Sequence, residues 1–261
     1  MKRERAYVEN RRNMILEAVE ENHEVRVEQL AERFNVSPVT IRRDLQYLED
    51  NKMLVRFYGG ALSKLADQER QYQDEDDVQI YRELIARYAG KLVDDRDTIF
   101  INSSSTALKV LEFVDKQNVV VITNNGKAIH AKKNDGLSVI LTGGELRHPK
   151  EAMVGDYAIR NLQTVYAKKA FIGCSGISPE SGMTTENANE VNINKLMIEH
   201  ASVEMYLVAD HTKIGKNSSF ISCNIEQVTN LITDEKAPAD VLELLREKGV
   251  KIHLVKKSDF L

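Results

Sequence analysis

From residue 78 onward the chain repeats one pattern, a short and almost wholly aliphatic run followed by a stretch of helical periodicity. The runs are "TIFI", "VVVIT", "LSVILTGG", "KAFIGCSGI", "EMYLVAD", "NLIT" and "KIHLV". A strand with one wet face alternates apolar and polar residues, and these do not, so both faces must be covered. Helices between successive strands supply that cover and allow parallel pairing. The pattern therefore predicts a doubly wound α/β domain, led by a helix marked by Ile80, Leu84, Tyr88 and Leu92.

Residues 1–62 follow a different rule. Ile15, Ala18 and Val19 mark the inner face of one helix, and Val27, Leu30, Ala31 and Phe34 give the i, i+3, i+4, i+7 stripe of a second. Ser37 is placed to cap a third helix, with Pro38 at its first position, where a missing N–H is not felt. That helix ends near Asn51. Val55 and Phe57 then alternate with Arg56 and Tyr58 before Gly59 and Gly60, which is the pattern of a short β-ribbon. Between the two regions, residues 63–77 are polar and increasingly acidic with no apolar stripe. They are expected to form a linker, with a solvated helix as the alternative.

Composition bounds what such a chain can do. Its 261 residues are 42% hydrophobic, enough for a real core, and the net charge is -4. With a pI of about 5.9 there is no global basic excess, so any nucleic-acid role must come from local placement of charge. Lys2, Arg3, Arg5, Arg11 and Arg12 form such a cluster, expected to precede the first helix. Cys174 and Cys223 lack Cys-x-x-Cys spacing, which suits reduced thiols rather than a disulfide or a zinc site. The longest aliphatic runs are too short to cross a bilayer, so a cytoplasmic protein is expected.

On the third helix, with Ile41 at zero, Leu45 and Leu48 fix the core face near about 10°. Arg43 falls near about 200°, with Gln46 near about 140° and Arg42 and Thr40 on the flanks. Such an outer face suits the major groove of DNA, although a solvated surface would show the same wheel. The β-ribbon adds a wing that sets Arg56 and Tyr58 against flanking phosphates, with Gly59 allowing close approach. The whole segment, "VSPVTIRRDLQYLEDNKMLVRFYGGA", resembles the winged helix-turn-helix signature of the DeoR family of bacterial transcriptional regulators. The likeness lies in the paired arginines, the Asp-Leu after them and the terminal Gly-Gly-Ala. It departs near Lys52, where the family has Gly. It implies that Arg42 and Arg43 make phosphate and base contacts with a double-stranded DNA operator, and that Ser37 and Thr40 seat the helix on the backbone.

Ligands of open α/β sheets sit beyond the carboxyl ends of the strands. There this chain has "NSSST", "TNN" and "TGG", whose hydroxyls and backbone N–H groups suit an anion but also serve as ordinary helix caps. Taken with "FIGCSGI", "GMTTENANEVNINKLMI" and "VADHTKIG", these loops are similar to the DeoR effector domain, which resembles sugar-phosphate isomerases in fold and senses a phosphorylated sugar. The resemblance spans nearly the whole chain. It implies that Asn102, Ser103, Ser104, Ser105 and Thr106 cradle the phosphate with Lys213, while Asn124, Gly143, Glu190, Lys195 and Asp210 line the sugar. The family commonly has Asp-x-Gly-Thr-Thr in the first loop and Asp before Lys-Ala-Phe, whereas this chain has Asn102, Ser104, Ser105 and Lys168. Loss of that first acid removes an acceptor for sugar hydroxyls.

The expected architecture is thus a winged helix-turn-helix over residues 1–62, a linker over 63–77, and a larger doubly wound, sugar-phosphate-isomerase-like domain over 78–261. The expected function is repression of a carbohydrate-utilisation operon, relieved by a phosphorylated sugar. One winged domain reads only a few base pairs, so a homo-oligomer, dimer or tetramer, is expected. The rival is a sugar-phosphate isomerase-like enzyme with an appended DNA-binding domain. Isomerisation needs a carboxylate placed to move a proton, and the loop "CSGISPESG" offers only Glu180. No His-Glu-x-x-His, nucleophile elbow or nucleotide-binding glycine loop is present, so no catalytic residue, metal or cofactor is expected.

Overall fold

Asp44 lies about 60° from Ile41 on the third helix, close to the apolar face, and a carboxylate there must find a charged partner. The computed structural model, which describes residues 2–260 and their side chains except at 2–6 and 69–74, supplies two. Arg11 Nε donates to Asp44 Oδ2 at 2.7 Å and Arg12 Nε to Oδ1 at 2.9 Å. The chain divides into two compact units, residues 1–77 and 78–261.

In the first unit α1 (Lys2–Asn22), α2 (Val27–Phe34) and α3 (Pro38–Asp50) enclose Ile15, Val19, Leu30, Ile41, Leu45 and Leu48. Asn35 turns the chain between α2 and α3 in the left-handed conformation, and Ser37 caps α3 as expected. β1 (Glu24–Arg26), β2 (Val55–Phe57) and β3 (Gly60–Leu62) form an antiparallel sheet in the order β1-β3-β2. The ribbon is β2–β3. Its partner β1 went unexpected because only Val25 of its three residues turns inward. Tyr58 and Gly59 form the tip, and Gly59, at φ +91°, occupies a conformation that favours glycine. Gly60 is needed for packing, since a Cβ there would lie 2.2 Å from the Val25 carbonyl oxygen.

Two expectations need correction here. The basic cluster does not precede the first helix but lies within α1, and Arg11 and Arg12 are committed to Asp44. The side chains of Lys2, Arg3 and Arg5 lie outside those described. Residues 64–77, expected as a linker, form the start of α4 (Lys64–Gly90), a helix of 27 residues. Their polar composition lacks an apolar stripe, but it also lacks Gly and Pro, so nothing in it stops a helix from continuing into the apolar stretch after Val78.

In the second unit all seven aliphatic runs become strands of one parallel sheet. They are β4 (Thr98–Ile101), β5 (Val119–Thr123), β6 (Leu137–Leu141), β9 (Ala167–Gly173), β12 (Ala201–Val208), β14 (Asn230–Asp234) and β15 (Lys251–Val255). Their order is β15-β14-β12-β9-β4-β5-β6, with every pairing parallel. The second half of α4 and α5 (Ser105–Lys109) cover one face, against Ile99, Ile101 and Phe171. The helices α6 (Asp156–Gln163), α7 (Ala188–Glu199) and α8 (Ala239–Glu247) cover the other, against Phe100, Ala170 and Ile172. Successive residues of a strand thus bury into opposite cores, which is why the runs do not alternate in polarity. A hairpin of β7 (Glu145–Arg147) and β8 (Ala152–Val154) and an antiparallel sheet of β10 (Gly176–Ser178), β11 (Gly182–Thr185) and β13 (Phe220–Cys223) complete the unit. No described helix is long and apolar enough to cross a membrane.

Asp44→Ala should destabilise the first unit by about 3 kcal/mol, because it leaves the buried guanidinium of Arg11 without its counter-charge. Urea denaturation should show the loss as a lower midpoint for that unit, and an unchanged midpoint would refute the clamp. Lys52 follows α3 at φ +56°, the position where helices favour glycine. Lys52→Gly should therefore raise the same midpoint, through a gain of about 0.5 to 1 kcal/mol in stability.

Candidate functional site

The outer face of α3 presents Arg42 and Arg43, both exposed and with no ion pair among the described residues. Ser37 Oγ accepts the Thr40 N–H at 3.2 Å and lies 2.9 Å from Thr40 Oγ1, so the two hydroxyls hold the start of the helix. Arg42, Arg56, Tyr58 and Gly59 line one groove between α3 and the wing, and Arg43 stands apart from it. Tyr58 is fully exposed. Gln46 accepts from the Arg56 guanidinium and donates to Asp50 at 2.9 Å, while Arg56 also lies 3.6 Å from Glu49. Arg56 is therefore tied back to α3 in the free protein.

In the second unit strand order reverses between β4 and β9, and a cavity of about 660 Å3 opens at their carboxyl ends. It is lined by Asn102 to Thr106 after β4, Gly173 to Ser175 after β9, Asp210 and Lys213 after β12, and Glu190 from α7. Of the residues expected to bind effector, Asn102, Ser103, Ser104, Ser105, Thr106, Glu190, Asp210 and Lys213 are thus brought together.

Three are not among the lining residues, and each has a physical reason. Asn124 is buried and donates to the Met153 carbonyl at 3.2 Å, while its neighbour Asn125 faces the cavity, a slip of one residue. Gly143, at φ +68°, serves the turn after β6. Lys195 lies about 140° around α7 from Glu190 and pairs on the surface with Glu199 at 3.8 Å. Conversely, Arg82, Lys127 and Lys150 line the cavity and were missed: Arg82 lies on the helix before β4 and Lys150 between β7 and β8, away from any strand-end run, while Lys127 follows "TNN" but is set two residues beyond it.

Hydrogen bonding sorts the lining residues into scaffold and available groups. Asn102 donates to Gly173 O at 2.8 Å and to Asn194 Oδ1 at 3.0 Å, and its own oxygen accepts from Gly173 N and Ser104 N. Its amide is fully used, which makes it a brace rather than a ligand contact. Ser104 caps α5, and a Cβ on Gly173 would lie 2.0 Å from its hydroxyl. Asp210 is buried and accepts from Arg82 Nε at 2.8 Å and from the Thr212 N–H at 3.0 Å and hydroxyl. Burial would raise its pKa, but these hydrogen bonds and the charges of Arg82 and Lys213 outweigh burial and hold it below the usual carboxylate range.

Glu190 is different. Thr185 donates to its Oε2 at 3.2 Å, but its buried Oε1 has no partner among the described residues. Lys127, Lys150 and Lys213 form no ion pair among the described residues. Burial pushes the Cys174 thiol in the cavity wall up to about 12, so it stays protonated and unreactive. Among the described residues no cluster of His, Cys, Asp or Glu is placed to hold a metal ion.

Asn102→Asp would set a carboxylate against the Gly173 carbonyl and the Asn194 amide oxygen. It should destabilise the second unit by about 2 kcal/mol in urea denaturation, and wild-type stability would show that the brace is dispensable.

Residues 11–66 match the DeoR-like helix-turn-helix domain, and residues 79–235 match the DeoR C-terminal sensor domain. The HTH-type transcriptional regulator GlpR of Haloferax volcanii is 31% identical over 93% of this chain and 96% of its own length. The glycerol-3-phosphate regulon repressor of Escherichia coli K12 is 29% identical over 94% and 98%, and the lactose phosphotransferase system repressor of Staphylococcus aureus MRSA252 is 31% identical over 84% and 89%. Among solved structures, ribose 5-phosphate isomerase from Plasmodium falciparum matches 51% of each chain at 18% identity and a TM-score of 0.34. With both of its units matched in order and relatives aligned nearly end to end, the chain belongs to the DeoR family of transcriptional regulators.

Proposed function

We propose that this regulator represses a carbohydrate-utilisation operon from a double-stranded DNA operator and is released when a phosphorylated sugar fills the cavity of the second unit. The observation that carries the reading is the Oε1 of Glu190, buried without a partner among the described residues in a cavity where Lys127, Lys150 and Lys213 likewise have no carboxylate partner among them. A ligand bearing both a hydroxyl and a phosphate would satisfy both kinds of group, whereas a neutral sugar would leave the lysines unmatched. The named repressors among its relatives, of the glycerol-3-phosphate regulon and the lactose phosphotransferase system, support the same class of target.

Binding rather than catalysis is the reading the acids favour. Glu180, the one acid expected near a reacting centre, is exposed in the turn between β10 and β11 and does not line the cavity. Asp210 is engaged by Arg82 and Thr212, and of the other carboxylates that line the cavity, Glu112, Glu186 and Glu190, only Glu190 is buried. It is held there by Thr185 rather than paired with a second acid or base that could share a proton transfer between adjacent carbons. The protein works in the cytoplasm as a homo-oligomer, since two heads are needed for useful selectivity.

The test is operator release in gel-shift titrations, using DNA upstream of the protein's own gene. Glucose 6-phosphate, fructose 1-phosphate and glycerol 3-phosphate are each compared with the dephosphorylated form. At least one phosphorylated member should release the DNA while its dephosphorylated form does not, and release by none of them would sink the reading. Lys213→Ala should raise the concentration needed at least tenfold, as loss of a charge-assisted contact costs about 1.5 to 3 kcal/mol. Arg43→Ala should lose discrimination of about 1 to 3 kcal/mol between operator and random DNA, whereas Arg42→Ala should weaken both alike. Wild-type operator affinity in Arg43→Ala would show that α3 is not the reading helix.

A further inference from the structure

The guanidinium of Arg82 is only partly used. It projects from α4 into the cavity, and Gln79, one turn earlier on the same helix face, lines the cavity with it. Its Nε–H is given to Asp210, an acid whose other oxygen is filled by Thr212. A guanidinium has five N–H donors in a planar fork, so four remain. Nη1 and Nη2 have no partner among the described residues, and the side chain is 23% exposed. Lys213 stands in the same loop as Asp210, close enough for its charge to act on that carboxyl. Two cations around one acid leave a local excess of positive charge, with the Arg82 fork fixed in place by Asp210. A phosphate is the complement of such a fork, because two parallel N–H groups meet two of its oxygens.

We propose that Arg82, through Nη1 and Nη2, binds the phosphate of the effector directly, shares it with Lys213, and passes occupancy of the cavity to the DNA-binding unit. The last step follows from where Arg82 sits. It belongs to α4, the helix that runs from Lys64 to Gly90 across the boundary between the units at residues 77 and 78. A ligand changes DNA affinity only through contacts that differ between the bound and released states, and a contact on the joining helix is placed to differ. This assignment rests on the phosphosugar reading above.

The experiment uses the full chain. Arg82→Ala would leave Asp210 buried without its cation and endanger the fold, so Arg82→Lys is the main variant, since its ammonium can still pair with Asp210 but cannot present a fork. Isothermal titration compares wild type, Arg82→Lys, Lys213→Ala and the double variant. The probes are inorganic phosphate and whichever panel sugar phosphate releases the wild type from DNA. Arg82→Lys should bind that sugar phosphate at least tenfold more weakly and, once saturated, should release the operator incompletely. The double variant should lose less than the product of the two single losses, because both side chains hold one group. Affinity within twofold of wild type in Arg82→Lys, complete release at saturation, or strictly multiplicative losses would each overturn the proposal. A wild type that binds none of the phosphorylated probes overturns the phosphosugar reading first, so the two failures are told apart before any variant is made.

Discussion

The second unit depends on Asp210 being charged although it is buried. Held below the usual carboxylate range, it stays ionised through the neutral region, so Arg82 keeps its partner and α4 stays fastened to the end of β12. The stability it contributes is present above the unfolded-state pKa and fades as pH falls through the lower folded value. The same carboxylate accepts the Thr212 N–H and so sets the turn that carries Lys213 to the cavity. If Asp210 were neutral, α4, through Arg82, and the turn that carries Lys213 would lose the charge that holds them together. Its place at the end of β12 is also where the parallel sheet delivers a ligand, next to the β4/β9 reversal.

What the sequence revealed and what it hid follow from the range of the forces involved. The seven strands were legible because burial on both faces is written locally, as unbroken aliphatic runs, and each run became a strand. The cap at Ser37, the ribbon at Val55 to Leu62 and the apolar stripes of α1 and α2 are equally local. The helix over residues 64–77 was hidden because its polar residues are compatible with either state, and continuity with the apolar half of α4 decides the matter.

The cavity was legible only where it is built from strand-end loops. Asn102 to Thr106 and Asp210 to Lys213 follow β4 and β12 directly, so topology brings them together. Which side chains within a loop face inward is a finer question, and the sequence answered it wrongly at Asn124, by one residue, and at Lys195, by about 140° of helix. Arg82 comes from a helix that precedes the first strand, so its meeting with Asp210, 128 residues away, is a fact of packing alone. Asn102 shows the converse. Its type suggests recognition, but its partners Gly173 and Asn194 come from β9 and α7 and turn it into a brace.

A chain of net charge -4 that is proposed to bind two polyanions makes the point about charge more generally. Counting its 36 Lys and Arg residues says little, because salt screens the distant ones and carboxylates occupy many of the rest. In the first unit Arg11 and Arg12 are given to Asp44, and Arg56 is held by Gln46 and Glu49, which leaves Arg42 and Arg43 as the cations without a carboxylate on the outer face of α3. In the second, Lys168 and Lys169 are given to Asp97, which leaves Lys127, Lys150 and Lys213 at the cavity. A cation with a close carboxylate is scaffold, and one without is available to a ligand. Arg82 belongs to both groups, since its Nε is scaffold and its two outer nitrogens are available, and a guanidinium can hold one partner through Nε while a planar pair of N–H groups faces another. A lysine at that position carries its three donors on one nitrogen, so it could pair with Asp210 but could not present two parallel N–H groups to a phosphate.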